Sequence, residues 1–260
     1  MKVAIVIPAR HASQRLPGKP LIEIAGRSLL QRVWRIARAV ERTTGVWIAT
    51  DDERIASHAR AFGADALMTP ANLATGTDRV RAAMAMLPEP MDAVINLQGD
   101  AILTPPWVVQ ALVDAFAADA GAGMVTAAVR LSPAALAEMI ALKAQSPSSG
   151  TLVTIDLAGR ALYFSKSMIP FVRDGAAHAP VHRHIGIYGY RAPVLERLAA
   201  LPPTPLETAE RLEQLRALEH GIPIRVVVVD YRGRTHGSVD TEKDLAFVAA
   251  VIAREGELVP

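Results

Sequence analysis

The chain has 260 residues, 51% of them hydrophobic and 21% charged, with a formal net charge of +2 and no cysteine. That composition excludes a disordered chain and leaves length enough for a sizeable core, while the lack of cysteine excludes a disulfide framework, a thiolate nucleophile and a cysteine zinc site, as expected of a reducing cytoplasm. No apolar run reaches the roughly 18–20 residues of a membrane span, Pro8 and Arg10 interrupt what could be a signal peptide, and a near-neutral chain with 5% aromatics lacks the basic stripe and stacking platform of a nucleic-acid groove.

The first predicted strand, Val3–Ile7, stops at Pro8 and opens into a loop with Arg10, Ser13, Arg15, Gly18 and Lys19; no acidic residue precedes Glu23. A buried strand feeding a positive, Gly/Pro-shaped loop suits a polyanion such as a triphosphate. Loop amides face phosphate oxygens, Arg10 brings a forked donor and Lys19 a compact charge. The loop is not a Walker A motif, and a solvated basic loop would have the same composition.

Further apolar runs at Val46–Ala49, Ala93–Leu97 and Met124–Val129 read as buried strands, alternating with helices at Leu29–Val40, Glu53–Phe62, Thr77–Met86 and Pro105–Ala118. Asp51 or Asp52 is placed to cap the second helix, and Pro105–Pro106 suits the first turn of the fourth. This βαβα order predicts an α/β fold with a mostly parallel sheet and helices on both faces. After about residue 130 the rhythm changes. Leu152–Asp156 and Arg160–Phe164 flank Ala158-Gly159 as a hairpin, Ile185–Tyr190 is a strand, Pro205–Leu218 a helix and Ile224–Val229 a returning core strand. Thr241–Ile252 is the closing helix, with Asp240 placed to cap it, and Pro147–Gly150 and Gly175–Ala179 are loops. The expectation is one domain over residues 1–260, with about 135–190 inserted as a β-rich elaboration.

Chemistry concentrates at predicted strand ends. Ile95-Asn96-Leu97-Gln98-Gly99-Asp100 carries a buried strand into polar residues, a glycine and a carboxylate, the place where open α/β sheets bind ligands. Asp100 there suits a hard cation or, equally, a turn. Asp240 reads as a helix cap or as a second metal carboxylate. His182, Arg183 and His184 offer rings and a cation for a sugar acid but have no zinc spacing, and Glu207, Glu210 and Gln214 share a helix face that is ordinarily solvated.

IPARHASQRLPGKPL, ATDDERIA, TGTDRV, NLQGD, ALYFSKSMIP, RHIGIYGY, PLETAERLEQLR and VDTEKDL occur in an order that resembles the 3-deoxy-manno-octulosonate (Kdo) cytidylyltransferases through most of the chain. The resemblance implies a nucleotidyltransferase-type, Rossmann-like fold whose insertion serves dimerisation and sugar binding. It also implies a homodimer, CTP and a sugar-acid substrate, Mg2+ as cofactor, and a role in lipopolysaccharide or capsule synthesis. By the same resemblance Arg10, Ser13 and Lys19 hold the CTP phosphates beside Pro8 and Ala9, Arg15 steadies the loop, and Thr75, Gly76, Thr77 and Arg79 lie near the cytidine. Asp100 and Asp240 match metal carboxylates, and Gln98, Lys166, His184, Tyr188, Glu210 and Gln214 match the sugar pocket. The set proposed for catalysis is Arg10, Lys19, Asp100 and Asp240.

Three departures stand out: Ala101-Ile102 replaces Glu-Pro after Gln98-Gly99-Asp100, Leu152 stands where the family has a lysine, and Lys166 where it has an arginine. They are expected where sugar recognition or dimer packing lies, and so raise an altered acceptor. A sialic-acid-type or other nonulosonate cytidylyltransferase would share the chemistry, and a catalytically silent nucleotide-binding homologue is the reading outside enzymes.

Overall fold

The computed structural model describes residues 1–12, 16–173 and 179–259. The strands are β1 (Val3–Ala9), β2 (Glu23–Ile24), β3 (Arg27–Ser28), β4 (Gly45–Thr50), β5 (Asp65–Met68), β6 (Ala93–Asn96), β7 (Met124–Arg130), β8 (Leu152–Ile155), β9 (Ala161–Ser165), β10 (His182–Arg191) and β11 (Ile224–Val228). The α-helices are α1 (Leu29–Arg38), α2 (Glu53–Ala61), α3 (Gly76–Met84), α4 (Pro106–Ala118), α5 (Pro133–Gln145), α6 (Ala192–Ala199), α7 (Pro205–Glu210), α8 (Gln214–Glu219) and α9 (Glu242–Glu255). None is long and apolar enough to cross a membrane.

The main sheet runs β11-β7-β10-β6-β1-β4-β5, with β8 paired to β10 and to β9. β1 is parallel to β4 and β6, β4 to β5, and β7 to β11; β10 is antiparallel to both β6 and β7. Every residue of β1 is buried, because helices cover both faces of a parallel sheet. Val3, Ile5 and Ile7 pack with Leu30, Val33, Leu112 and Val248, whereas Ala4 and Val6 on the opposite face pack with Val80, Ala83 and Leu195. Thus α1, α2, α4 and α9 form one layer, and α3, α6 and α8 the other.

Several elements differ from the sequence expectation. β5 was not predicted, being a half-exposed four-residue edge strand that opens with Asp65. α5 places a helix at the head of the supposedly β-rich elaboration, with Ser132 as its N-cap and Pro133 in its first turn. α6 also went unpredicted, directly continuing the chain from β10. The expected helix Pro205–Leu218 is broken at Arg211, whose φ of 54° is left-handed, a conformation costing about 1–2 kcal/mol for a non-glycine residue. The break turns α8 back so that Arg216 pairs with Glu207 at 2.5 Å. Asp240 does not cap the closing helix. Thr241 does, accepting from the Asp244 amide while the Asp244 carboxylate returns to the Thr241 amide in a capping box. Asp52 caps α2 by accepting from Arg54 N–H at 3.0 Å. Ala101, Ile102 and Leu152 are buried, at 7%, 2% and 0% exposure.

Candidate functional site: a charged cleft beside a buried polar cluster

The strand order reverses around β1, since β4 follows on one side and β6 arrives on the other. Their carboxyl ends diverge there and leave the crevice in which open α/β sheets bind ligands. A cleft of about 370 Å3 occupies this place. One wall is Pro8, Ala9 and Arg10 at the end of β1; the facing wall is Gln98, Gly99 and Asp100 after β6. Gly99 is required by the close approach of the two walls, because a Cβ there would stand 2.9 Å from the Pro8 carbonyl oxygen. Thr75, Gly76 and Arg79 enter from the start of α3, and Asp240 from the turn before α9.

Lys19 ties these segments together. Gly18, with φ of 69°, donates its amide to His11 O at 2.9 Å and sends the chain into a short 3-10 turn over Lys19–Leu21. The Lys19 ammonium then donates to Asp100 Oδ2 at 2.8 Å, Val239 O at 2.7 Å and Asp240 Oδ1 at 3.3 Å. The Lys19 ammonium thus draws Asp100 and Asp240 to one side of the cleft. Because Thr241 caps α9, the Asp240 side chain is left to face Lys19.

Two of the predicted nucleotide residues are buried and held from within. The Arg79 guanidinium is buried, held by Thr69 Oγ1 at 2.5 Å and Asp51 at 3.2 Å. Thr77 is buried and donates its hydroxyl to Glu213 Oε2 at 2.8 Å, and it is not among the cleft's lining residues. Thr75 caps α3 in a capping box with Asp78, which fixes where the helix amides begin. Ser13 and Arg15 lie outside the described residues, as does most of the predicted 175–179 loop.

The remaining predicted residues form a second, more deeply buried cluster beside the cleft. Glu210 accepts from Ser165 Oγ at 2.6 Å and from the Lys166 amide at 2.8 Å. Burial pulls the Lys166 ammonium below the usual lysine range, partly opposed by the carboxylates of Glu210 and Asp240, so its charge stands within electrostatic reach of the cleft. His184 packs edge-on to Phe164, 5.0 Å between ring centroids, and lies 5.4 Å from Tyr188. Burial, reinforced by Lys166, holds its imidazole down to about 3, so it is neutral at pH 7. A bulge in β10 between Ile185 and Tyr188 brings this about: Thr126 Oγ1 fills it, 2.8 Å from Ile187 O and 2.9 Å from His184 Nε2. Tyr188 is in register with Asn96, whose Oδ1 accepts from Gln98 Nε2 at 2.9 Å, linking cluster to cleft. Gln214 is 5% exposed, and its Nε2 has no hydrogen-bond partner, as is true of the buried Asn96 Nδ2. Such orphaned donors cost stability unless a ligand satisfies them.

Sequence reading missed Pro20 and Leu73, which add apolar surface to the cleft, and Glu213, whose carboxyl is raised above its ordinary value by burial. Apolar liners carry no sequence signal of their own. Glu213 lay inside the quoted segment PLETAERLEQLR but could be placed only once the break at Arg211 was known.

A family model described as cytidylyltransferase matches residues 4–225. The 3-deoxy-manno-octulosonate cytidylyltransferase of Maricaulis maris (strain MCS10) is 51% identical over 259 residues, covering 100% of both chains. The protein of the same name from Myxococcus xanthus (strain DK1622) is 45% identical over 258 residues, covering 98% of each. Among solved structures, a CMP:2-keto-3-deoxy-manno-octonic acid synthetase complexed with CTP superposes with a TM-score of 0.87 at 39% identity, covering 98% of this chain and 100% of that one. A cytidylyltransferase from Leptospira borgpetersenii, with a TM-score of 0.63 and 18% identity, shares the fold. The chain belongs to the 3-deoxy-manno-octulosonate cytidylyltransferase family.

Proposed function

We propose that this chain transfers the cytidylyl group of CTP to the anomeric hydroxyl of 3-deoxy-manno-octulosonate, releasing pyrophosphate, in the cytoplasm and for lipopolysaccharide synthesis. The observation that carries the reading is Lys19 bridging Asp100 and Asp240 in the cleft, three residues far apart in sequence. The sugar oxygen attacks the α-phosphorus, the bond from that phosphorus to the bridging oxygen breaks, and pyrophosphate leaves with the electron pair; the hydroxyl proton passes to solvent. Such a reaction asks chiefly for alignment and charge neutralisation. Arg10 and Lys19 bind the phosphates and offset charge growing on the leaving group. Loop amides around Pro8 and Ala9, with Ser13 and Arg15, complete the phosphate site, and Thr75 and Gly76 border the nucleoside, with Arg79 and Thr77 bracing that segment from within.

Asp100 and Asp240 would hold a divalent cation, Mg2+. Two carboxylates facing one cleft supply the hard oxygen donors that suit a cation completing its shell with phosphate oxygens and water. When bound it would supply charge neutralisation at the phosphates. The sugar acid is placed in the second cluster, with Lys166 facing its carboxylate and Gln98, His184, Tyr188, Glu210 and Gln214 its hydroxyls. Residues 1–260 act as one nucleotidyltransferase unit. Its elaboration at about 135–190 pairs two copies, an arrangement favoured by the edge position of β9 and by Leu157, Leu162 and Phe171 at 109%, 62% and 87% exposure.

Because relatives matched over nearly the whole chain are 3-deoxy-manno-octulosonate cytidylyltransferases, the acceptor is expected to be the family's own. Pyrophosphate release with CTP and a panel of 3-deoxy and nonulosonate sugar acids tests this. Kdo should be turned over best; a sialic acid turned over better, or no pyrophosphate with any acid, would reject the reading.

A further inference from the structure

β8 and β9 are in register as far as Leu152 and Ser165, the last pair at the open end of their hairpin. Lys143, near the end of α5, reaches into that open end. It is only 8% exposed. Its ammonium donates to the carbonyl oxygens of Ser149 and Gly150, each at 2.9 Å, and to that of Lys166, so its donors meet main-chain oxygens from both strands' extensions. Gly150 makes this possible by turning with φ of 66°, beside the Met139 side chain. Burial pulls the Lys143 ammonium below the ordinary lysine range, and Lys166 and Arg183 add to this while Glu210 opposes it. Burying an ammonium is costly for a fold that could have placed an apolar side chain beside Met139 and Leu152.

The consequence falls on Lys166. Its carbonyl is held by Lys143 and its amide by Glu210, which also takes the Ser165 hydroxyl. The peptides on both sides of Lys166 are thus fixed from opposite elements, α5 and α7. We propose that Lys143 is a positioning residue for acceptor recognition: it clamps the open end of the β8–β9 hairpin and so sets where Lys166 stands in the sugar-acid subsite. This rests on the reading above that Lys166 meets the acceptor; Lys143 itself touches no substrate.

Steady-state kinetics of the full chain, Lys143→Met, Lys166→Met and the double variant, with CTP and Kdo varied in turn, test the clamp. Lys143→Met should raise the KM for the sugar acid about tenfold and leave the KM for CTP within about twofold, and it should add little to Lys166→Met in the double variant. Lys143→Gln, which keeps a neutral donor, should fall between wild type and Lys143→Met, and it replaces Lys143→Met in the cycle if that variant does not fold. Equal shifts in both KM values, no shift in either, or effects that multiply in the double variant would overturn the clamp. Lys166→Met without effect on the acceptor KM would instead show that the subsite itself is misplaced, and would remove the clamp's target with it.

Discussion

The two halves of the site are built differently. The half proposed for the phosphates is made from strand ends and short turns, with charged side chains that remain partly open to solvent: Lys19, Asp100 and Asp240 side chains are 15%, 27% and 41% exposed. The half proposed for the acceptor is held in the interior by a strand bulge, a broken helix and buried polar contacts, and its His184 and Gln214 are 7% and 5% exposed. A polyanion needs charge that can exchange water for phosphate without large desolvation. A neutral hydroxyl array needs donors and acceptors already stripped of water, so that the correct ligand alone satisfies them. On the proposed reading, the chemistry sits in the open half and the selectivity in the dry one.

That contrast is broken most directly at the carboxylates. Asp100→Ala and Asp240→Ala are each expected to lower turnover by about 10²–10³-fold or more, the range for losing a preorganised electrostatic partner, while the thermal midpoint changes little. Pyrophosphate release and calorimetry on the same samples check both parts; near-normal turnover in the two variants would show that the open half is not where the chemistry happens.

A smaller effect is expected where the two walls touch. Gly99→Ala forces a Cβ to 2.9 Å from the Pro8 carbonyl, a clash of the kind that costs about 1–3 kcal/mol. Urea unfolding should record that loss, and turnover should fall with it because the Pro8–Arg10 wall must move. A fully stable, fully active variant would mean that the crevice is wider than its walls indicate.

The smallest effect concerns the interior around the acceptor half. Burial, helped by Arg183 and His184, holds His236 down to about 3, against 6.5 when exposed. Below about pH 6.5 the unfolded chain takes up a proton that folded His236 does not. Its contribution to stability therefore falls as pH drops from about 6.5 toward about 3. His184, also held at about 3, acts in the same direction. His236→Phe should flatten the decline in urea midpoint between pH 7 and pH 5; an unchanged slope would mean that His236 is not held neutral.

Much of the open half could be read from sequence. The run Val3–Ile7 into Pro8 and the basic loop, and Asn96-Leu97-Gln98-Gly99-Asp100, are each a strand followed at once by its functional end, so the spacing that makes the strand also places the residues. The dry half could not be derived in this way. His184 and Tyr188 reach one cluster because Thr126, from a different strand, fills the bulge between them. Glu210 meets Ser165 and Lys166 from the end of a helix that stops at Arg211, and nothing local marks that break. α5 did announce itself through Ser132 and Pro133, yet its Ala-rich run is exposed on most sides and so lacks a strong apolar stripe.

By itself, then, the sequence determined the buried parallel strands, the helices that cover them and the charged residues at their carboxyl ends, since hydrophobic period and turn chemistry are local properties. Tertiary structure decided which aspartate caps and which faces the cleft, which arginine is exposed and which is held inside, and where the acceptor residues converge. Those outcomes depend on partners tens to hundreds of residues away, such as Lys19 with Asp240 or Lys166 with Lys143 and Glu210. Burial and pairing energies exist only once those partners have met.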